Sequence, residues 1–100
     1  MVVLHARLLL TDEGRGQFDA MLGGLLESSR AEDGCISYRV YRSLETPGEV
    51  IFVEEWSNRE ILDRHFQTPH FVAFADKFPT WVAVPPQIRI YEVASVNEGM

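Results

Sequence analysis

The chain has 100 residues, of which 46% are hydrophobic and 24% are charged. That length predicts one domain spanning residues 1–100, and the composition excludes disordered and fibrous proteins. Fifteen acidic residues outnumber nine basic ones and give a net charge of −6. Because this charge repels phosphate backbones and anionic lipids, we expect neither nucleic acid nor a membrane as a partner.

The cysteine content and the start of the chain predict a cytoplasmic protein. Cys35 is the single cysteine, so an internal disulfide and a cysteine-rich zinc site are excluded. Residues 1–8 lack the features of a signal peptide, and no apolar run approaches the ~18 residues of a membrane span. A domain of this size also gains stability when a second chain covers its apolar surface, which favours a homodimer.

Hydrophobic periodicity predicts a strand, a helix and a hairpin in the first half of the chain. Residues 2–10 are typical of a strand, and the apolar residues after Arg15 recur at helical spacing until Asp33-Gly34 ends the helix. Strands at 35–44 and 49–56 flank a turn that contains Pro47-Gly48, which predicts a β-hairpin. The helical stripe consists of Phe18, Met21, Leu22, Leu25 and Leu26.

A symmetric four-residue turn would set the register of this hairpin. Arg39 then pairs with Glu54, and we interpret this pair as a salt bridge across strands or between subunits. In this register Tyr38 and Glu55 face the helices, whereas Arg39 and Glu54 face away from them. The neighbouring pairs would be Val40 with Val53 and Tyr41 with Phe52.

Capping signals predict two short helices and a final strand in the second half. Residues 57–60 have the spacing of a capping box for a helix that runs to about residue 67. Thr68 and Pro69 then begin another helix, and a proline-bracketed loop containing Trp81 leads to a strand at 87–94. The last helix carries the stripe Phe71, Phe74, Ala75 and Phe78.

The order of elements predicts an α+β, ferredoxin-like split βαβ sandwich, in which an antiparallel sheet carries helices on one face. We expect the other face to carry Phe52, Trp56 and Tyr41. Such a face is too apolar for water, and two sheets packed face to face would bury it in a dimer.

His65 is the polar residue that most invites a chemical role. It shares the apolar face of its helix with Ile61 and Leu62 and should point toward the sheet. It could be a core histidine that donates to a carbonyl. Alternatively, it is a neutral imidazole in an apolar pocket, where desolvation lowers its pKa and lets it accept a proton near neutral pH.

Aromatic residues near His65 predict either a small-molecule pocket or a filled core. Tyr38 could offer its hydroxyl to a ligand oxygen. His70, in the first turn of its helix, could border the pocket or have a capping role, and His5 and Arg7 could reach the same space. The aromatic residues of this region are Phe66, Phe71, Phe74, Phe78 and Trp81.

Several other chemistries have no matching motif. The histidines at positions 5, 65 and 70 form no i,i+4 pair, and neither HExxH nor CxxC is present, so no metal site is predicted. Nucleotide-binding glycine motifs are also absent. We interpret Cys35 as a structural thiol, because no histidine is near it in sequence.

The segment from Phe52 to Trp56, followed by Leu62, His65 and Thr68-Pro69-His70-Phe71, resembles the signature of the antibiotic biosynthesis monooxygenase family. Glu-Asp-Gly-Cys at 32–35 adds to the resemblance, which spans nearly the whole chain. It implies a dimeric α+β barrel. Some members oxygenate phenolic or quinol-type substrates with O2 and without a metal, flavin or other cofactor. The resemblance also suggests His65 as the base, with Tyr38 and His70 orienting the substrate.

Relatives of this fold that degrade haem use a histidine on the last helix and an asparagine on the first strand. This chain has Ala75 and Ala6 near those places, and His65 replaces a tryptophan of the haem pocket. Haem breakdown is therefore disfavoured.

Three hypotheses stay open. The first is a cofactor-independent monooxygenase acting on a hydroquinone-like aromatic, with His65 on the wall of an open cavity and Tyr38, Phe66, His70, Phe71, Phe74 and Trp81 binding the substrate. The second is a non-catalytic binding or dimerisation module whose phenylalanines and Trp81 fill the space. The third is isomerase-type proton transfer on a small carbonyl compound, which would proceed without oxygen.

Overall fold

Four strands and three helices follow one another in the order βαββααβ. The computed structural model describes all 100 residues. A turn of 3-10 helix, Phe78–Thr80, lies between the last helix and the last strand. The strands are β1 (Val2–Leu9), β2 (Cys35–Arg42), β3 (Glu49–Trp56) and β4 (Gln87–Glu92), and the helices are α1 (Asp12–Arg30), α2 (Arg59–His65) and α3 (Pro69–Lys77).

The strands form one antiparallel sheet in the order β2-β3-β1-β4. Helix α1 packs on β2 and on α3, and α2 packs on β3, so the helices cover one face of the sheet. The predicted ferredoxin-like α+β fold is confirmed. None of the helices combines the length and the apolar character needed to cross a membrane.

Local capping signals set the helix starts, with one difference from the prediction. Thr68 caps α3, as predicted, by accepting from the amide of Phe71. Helix α2 is capped by Asn58 rather than by Ser57, because the Asn58 Oδ1 accepts from the Ile61 amide at 2.9 Å. The Ser57 hydroxyl instead donates to the carbonyl of Gly34.

The predicted hairpin register is wrong by one residue. Tyr38 pairs with Glu54 and Arg39 pairs with Val53, so the expected Arg39–Glu54 pair does not exist. The reason is the loop: Ser43 still bonds to Glu49 through its amide, and the fully exposed Leu44 belongs to the loop rather than to the strand. The hydroxyl of Ser43 accepts from the amides of residues 45 and 46 and stabilises this longer loop.

A one-residue shift moves every side chain of a strand to the opposite face of the sheet. Phe52 and Trp56 are therefore buried under the helices, and the prediction that they cover the other face is wrong. Glu54 is also on the helix side. The face without helices, here called the outer face, carries His5 and Arg7 of β1, Arg39 and Tyr41 of β2, Ile51, Val53 and Glu55 of β3, and Arg89 and Tyr91 of β4.

The core lies between the sheet and the helices, and Trp81 closes one end of it. Its ring packs edge-on against Phe18 and Phe74 and donates to Gln17 at 2.8 Å. Helix α1 approaches the backbone of Trp81 so closely that a Cβ on Gly14 would lie 2.4 Å from its carbonyl oxygen. A glycine is therefore required at the start of α1.

Candidate active site

An aromatic cavity lies between the sheet and the segment that includes α3. It has a volume of about 70 Å³ and is partly open to solvent. An engineered cavity of ~150 Å³ holds one benzene, so an aromatic ligand needs a phenylalanine to move or must extend through the open side. Ten of the twelve lining residues are apolar: Leu4, Ala6, Leu8, Phe52, Phe66, Phe71, Phe74, Phe78, Pro86 and Ile88.

Tyr38 and Glu54 are the two polar residues of this lining. They are directly opposite each other on neighbouring strands. Burial, reinforced by the charge of Glu54, raises the pKa of Tyr38 far above its ordinary value. The tyrosine hydroxyl therefore stays protonated and can donate a hydrogen bond.

Glu54 is a buried carboxyl group, whereas the predicted hairpin register puts it on the opposite face of the sheet. It is only 4% exposed, and its Oε1 accepts from Trp56 Nε1 at 3.0 Å. Burial raises the pKa of Glu54 to about 7, although hydrogen bonds from Trp56 and Tyr38 oppose the shift. Glu54 shares its face with Val50, Phe52 and Trp56, and this alternation was the signal that could have located it.

His65 ends α2 and is completely buried. Its ring lies against Trp56, with the two ring centroids 4.5 Å apart. The ring centroids of Tyr38, Phe66 and Phe71 lie 5.1–5.9 Å from that of His65. These last three side chains also line the cavity. The imidazole is thus one side chain away from the cavity.

Glu32 sets the tautomer of His65. Its Oε2 lies 2.7 Å from His65 Nδ1, and because a carboxylate oxygen accepts, Nδ1 carries the hydrogen. Desolvation lowers the pKa of His65 despite the opposing effect of Glu32. The neutral ring therefore has its lone pair on Nε2, which is buried without a hydrogen-bond partner.

His70 belongs to the Glu32 cluster rather than to the cavity wall. Its Nε2 lies 2.7 Å from the same carboxylate oxygen and 3.2 Å from the Thr68 hydroxyl. Thr68 also donates to the His65 carbonyl at 2.7 Å. The loop after α1 and the junction of α2 with α3 are held together in this way.

Glu32, His65 and His70 also have donor atoms that could approach a metal ion, since these atoms lie within 4.8 Å of one another. Two of the separations are 2.7 Å. Ligands of one tetrahedral zinc ion lie about 3.3 Å apart, given bonds of ~2.0–2.1 Å. The cluster therefore has the spacing of a hydrogen-bonded network, and an ion would have to push its members apart.

The remaining site candidates are divided between the cavity and the core. Phe66, Phe71 and Phe74 line the cavity, whereas Trp81 is in the core and does not border it. His5 and Arg7 project from the outer face and cannot reach the cavity. Burial and the charges of two glutamates raise the pKa of the Cys35 thiol to about 11, which makes it a poor nucleophile at neutral pH.

Comparison with known sequences gives one family and two informative relatives. A family profile described as antibiotic biosynthesis monooxygenase matches residues 1–77. An uncharacterised protein of Synechocystis is 38% identical over 96 residues, which are 96% of this chain and 65% of that protein. The chain thus spans slightly less than two thirds of this relative. Rv0793 of Mycobacterium tuberculosis, provisionally named a monooxygenase, is 34% identical over 73 residues, covering 73% of this chain and 71% of that protein.

Solved structures show the same fold over the whole chain. The structure of Rv0793 superposes with a TM-score of 0.87 at 28% identity and covers 99% of this chain and 98% of that one. A Deinococcus radiodurans structure, provisionally described as an antibiotic biosynthesis monooxygenase, has a TM-score of 0.90 at 26% identity and covers 100% and 99%. The profile match includes Glu32, Glu54, His65 and His70.

Proposed function

Because the chain belongs to the antibiotic biosynthesis monooxygenase family, we propose that it oxygenates a small phenolic or hydroquinone-type molecule with O2 and without a cofactor. The family supports a monooxygenase-like activity on a small molecule. The nature of the substrate, the absence of a cofactor and the role of His65 are our proposals, and they depend on the chemistry of the site.

The observation that carries the proposal is the state of His65. Its imidazole is neutral, Nδ1 donates to Glu32, and Nε2 has no hydrogen-bond partner although only one side chain separates the ring from the aromatic cavity. A base oriented by a carboxylate in this way can accept a proton, and the carboxylate then stabilises the imidazolium. Movement of Phe71 brings Nε2 into contact with a substrate hydroxyl, while the Tyr38 hydroxyl orients the substrate.

The proposed reaction begins when His65 removes a hydroxyl proton from a hydroquinone. The anion gives one electron to O2, and the resulting radicals combine to form a peroxide on a ring carbon. Loss of the hydrogen from that carbon then cleaves the O–O bond, so one oxygen atom stays on the ring and the other leaves as water. The products are a hydroxyquinone and water, and the apolar wall protects the intermediates from solvent.

Oxygen uptake tests this proposal directly. With a panel of hydroquinones and phenols, we expect the wild-type protein to consume one O2 per substrate molecule, measured with an oxygen electrode, while quinone formation is followed by absorbance. A parallel anaerobic sample should show no turnover. The proposal fails if no member of the panel raises oxygen uptake above the rate without protein, and turnover without oxygen would support an isomerase.

The volume of the cavity favours a second candidate, a non-catalytic binding or dimerisation module. The phenylalanines around the cavity leave only about 70 Å³, so they already fill much of the space. If they do not move, ligands larger than a few water molecules are excluded. Binding of a phenol without oxygen uptake would favour a binding module, and absence of binding would favour a dimerisation module.

We also propose that the protein is a homodimer joined through the outer face. No helix covers this face, and it exposes apolar residues beside charged ones. Tyr41 and Tyr91 are 49% and 42% exposed, and Ile51 and Val53 lie between them on β3.

Light scattering should give twice the 11.4 kDa mass of one chain, and V53D should give a smaller mass. A wild-type mass of 11.4 kDa at micromolar concentration would exclude the dimer.

A further inference from the structure

The cavity contains one group that can be charged, and that group is acidic. Its polar lining consists of Glu54 and Tyr38, with no lysine or arginine. None of the groups packed around Glu54 brings a positive charge. Tyr38 lies opposite it on β2, Trp56 lies two residues further along β3, and the negative charge of Glu32 raises its pKa further. Any ligand in the cavity therefore meets a carboxyl group without a cationic partner.

We propose that Glu54 binds the hydroxyl group of the ligand, and that the cavity therefore selects uncharged hydroxyaromatic molecules and rejects aromatic carboxylates. The inference deepens the proposed function, because it specifies the substrate class of the same cavity. It concerns binding alone, so it can be tested whether or not oxygenation occurs.

The geometry of Glu54 leaves room for such a hydrogen bond. Trp56 Nε1 donates to Oε1 at 3.0 Å, and the Tyr38 hydroxyl is a second donor to the carboxyl group. Because a carboxylate has about four acceptor sites in total, these two donors leave about half of them free. The unfilled acceptor capacity borders the cavity, since Glu54 is part of its lining. A phenolic hydroxyl can donate to this carboxylate, and a hydrogen bond to a charged acceptor is stronger than one between neutral groups.

An anionic ligand meets the opposite situation. Its carboxylate would lie beside the Glu54 carboxylate in an apolar environment, where repulsion between like charges is large. His65 supplies no positive charge that could offset this repulsion, because burial lowers its pKa and keeps the imidazole neutral. Protonation of Glu54 removes this repulsion, and its pKa of about 7 places the change near neutral pH.

The test compares phenol with benzoate under argon, so that no oxidation occurs, with binding measured by tryptophan fluorescence. At about pH 8, we expect the wild-type protein to bind phenol about 100-fold more tightly than benzoate. E54Q should lower the affinity for phenol about 10-fold. It should raise the affinity for benzoate by about 10-fold or more, since an amide can donate to a carboxylate. The matched control is E55Q, because Glu55 is adjacent on the same strand but projects from the outer face; it should leave both affinities unchanged.

A pH series on the wild-type protein gives a second test that does not depend on the folding of E54Q. Lowering the pH from about 8 to about 6 should strengthen benzoate binding, while benzoate itself stays ionised because ordinary carboxyl groups titrate near ~4. The inference is overturned if the wild-type protein binds phenol and benzoate equally well, or does not bind phenol. It is also overturned if the ratio of the two affinities is the same in E54Q as in the wild-type protein. Selective phenol binding without oxygen uptake would support the inference and contradict the proposed function.

Discussion

Replacing His65 with glutamine is expected to lower the rate of substrate-dependent oxygen uptake by about 10²–10⁴-fold, the usual contribution of a general base. The glutamine amide can still donate to Glu32, but it has no basic nitrogen to accept the phenolic proton. H5Q is a suitable control because His5 lies on the outer face and should retain the wild-type rate. Circular dichroism of both variants checks that the fold is unchanged.

A second variant separates the role of the base from a purely structural role. E32Q keeps the shape of the side chain but removes the charge that raises the His65 pKa. The pKa of His65 should therefore fall, and the acidic limb of the activity profile should move to lower pH, together with a loss of rate. Wild-type rates in H65Q, or an unshifted pH profile in E32Q, would contradict the assignment of His65 as a base held by Glu32.

The stability of the wild-type protein relative to E54Q is expected to fall as the pH rises from about 5 to about 8, by an amount on the order of 3 kcal/mol. The pKa of Glu54 is about 7 in the folded state, compared with 4.5 as the ordinary value. Between these values the folded protein keeps a proton that the unfolded chain has lost. The stabilising contribution of Glu54 is thus complete below about pH 4.5 and is lost as the pH passes 7.

Urea unfolding at several pH values measures this difference. Burial lowers the pKa of His65, so this residue has the opposite effect: it destabilises the folded state as the pH falls below the ordinary value of 6.5. Because His65 is present in both proteins, its effect cancels in the comparison. E55Q is again the matched control. If the free energies of unfolding of wild type and E54Q change in parallel with pH, Glu54 does not have the raised pKa that the cavity implies.

Glu54 links these predictions, since the same burial that destabilises its charge also makes it selective toward ligands. A buried carboxyl group that costs stability at neutral pH is weakly explained by the fold alone. Trp56 and Tyr38 are hydrogen-bond partners of its carboxyl group, and Glu54 is part of the cavity lining. This arrangement is the expected compromise between stability and function at a binding site.

Local patterns in the sequence determined the number and order of the elements and the direction of His65. The helical spacing of Ile61, Leu62 and His65 places the imidazole under α2, and the Thr68-Pro69 pair begins α3, because both effects act within a few residues. The cluster of phenylalanines predicted an aromatic region, and its four members, Phe66, Phe71, Phe74 and Phe78, all line the cavity.

Tertiary structure alone decided which carboxyl groups lie beside the two histidines and in the cavity. Glu32 lies 33 positions from His65 and 38 from His70, and no local pattern encodes a meeting over such a separation. Glu54 depends on the hairpin register, which the longer loop after Ser43 shifts by one residue. Because side chains alternate along a strand, that single residue moved Glu54 from the outer face to the cavity.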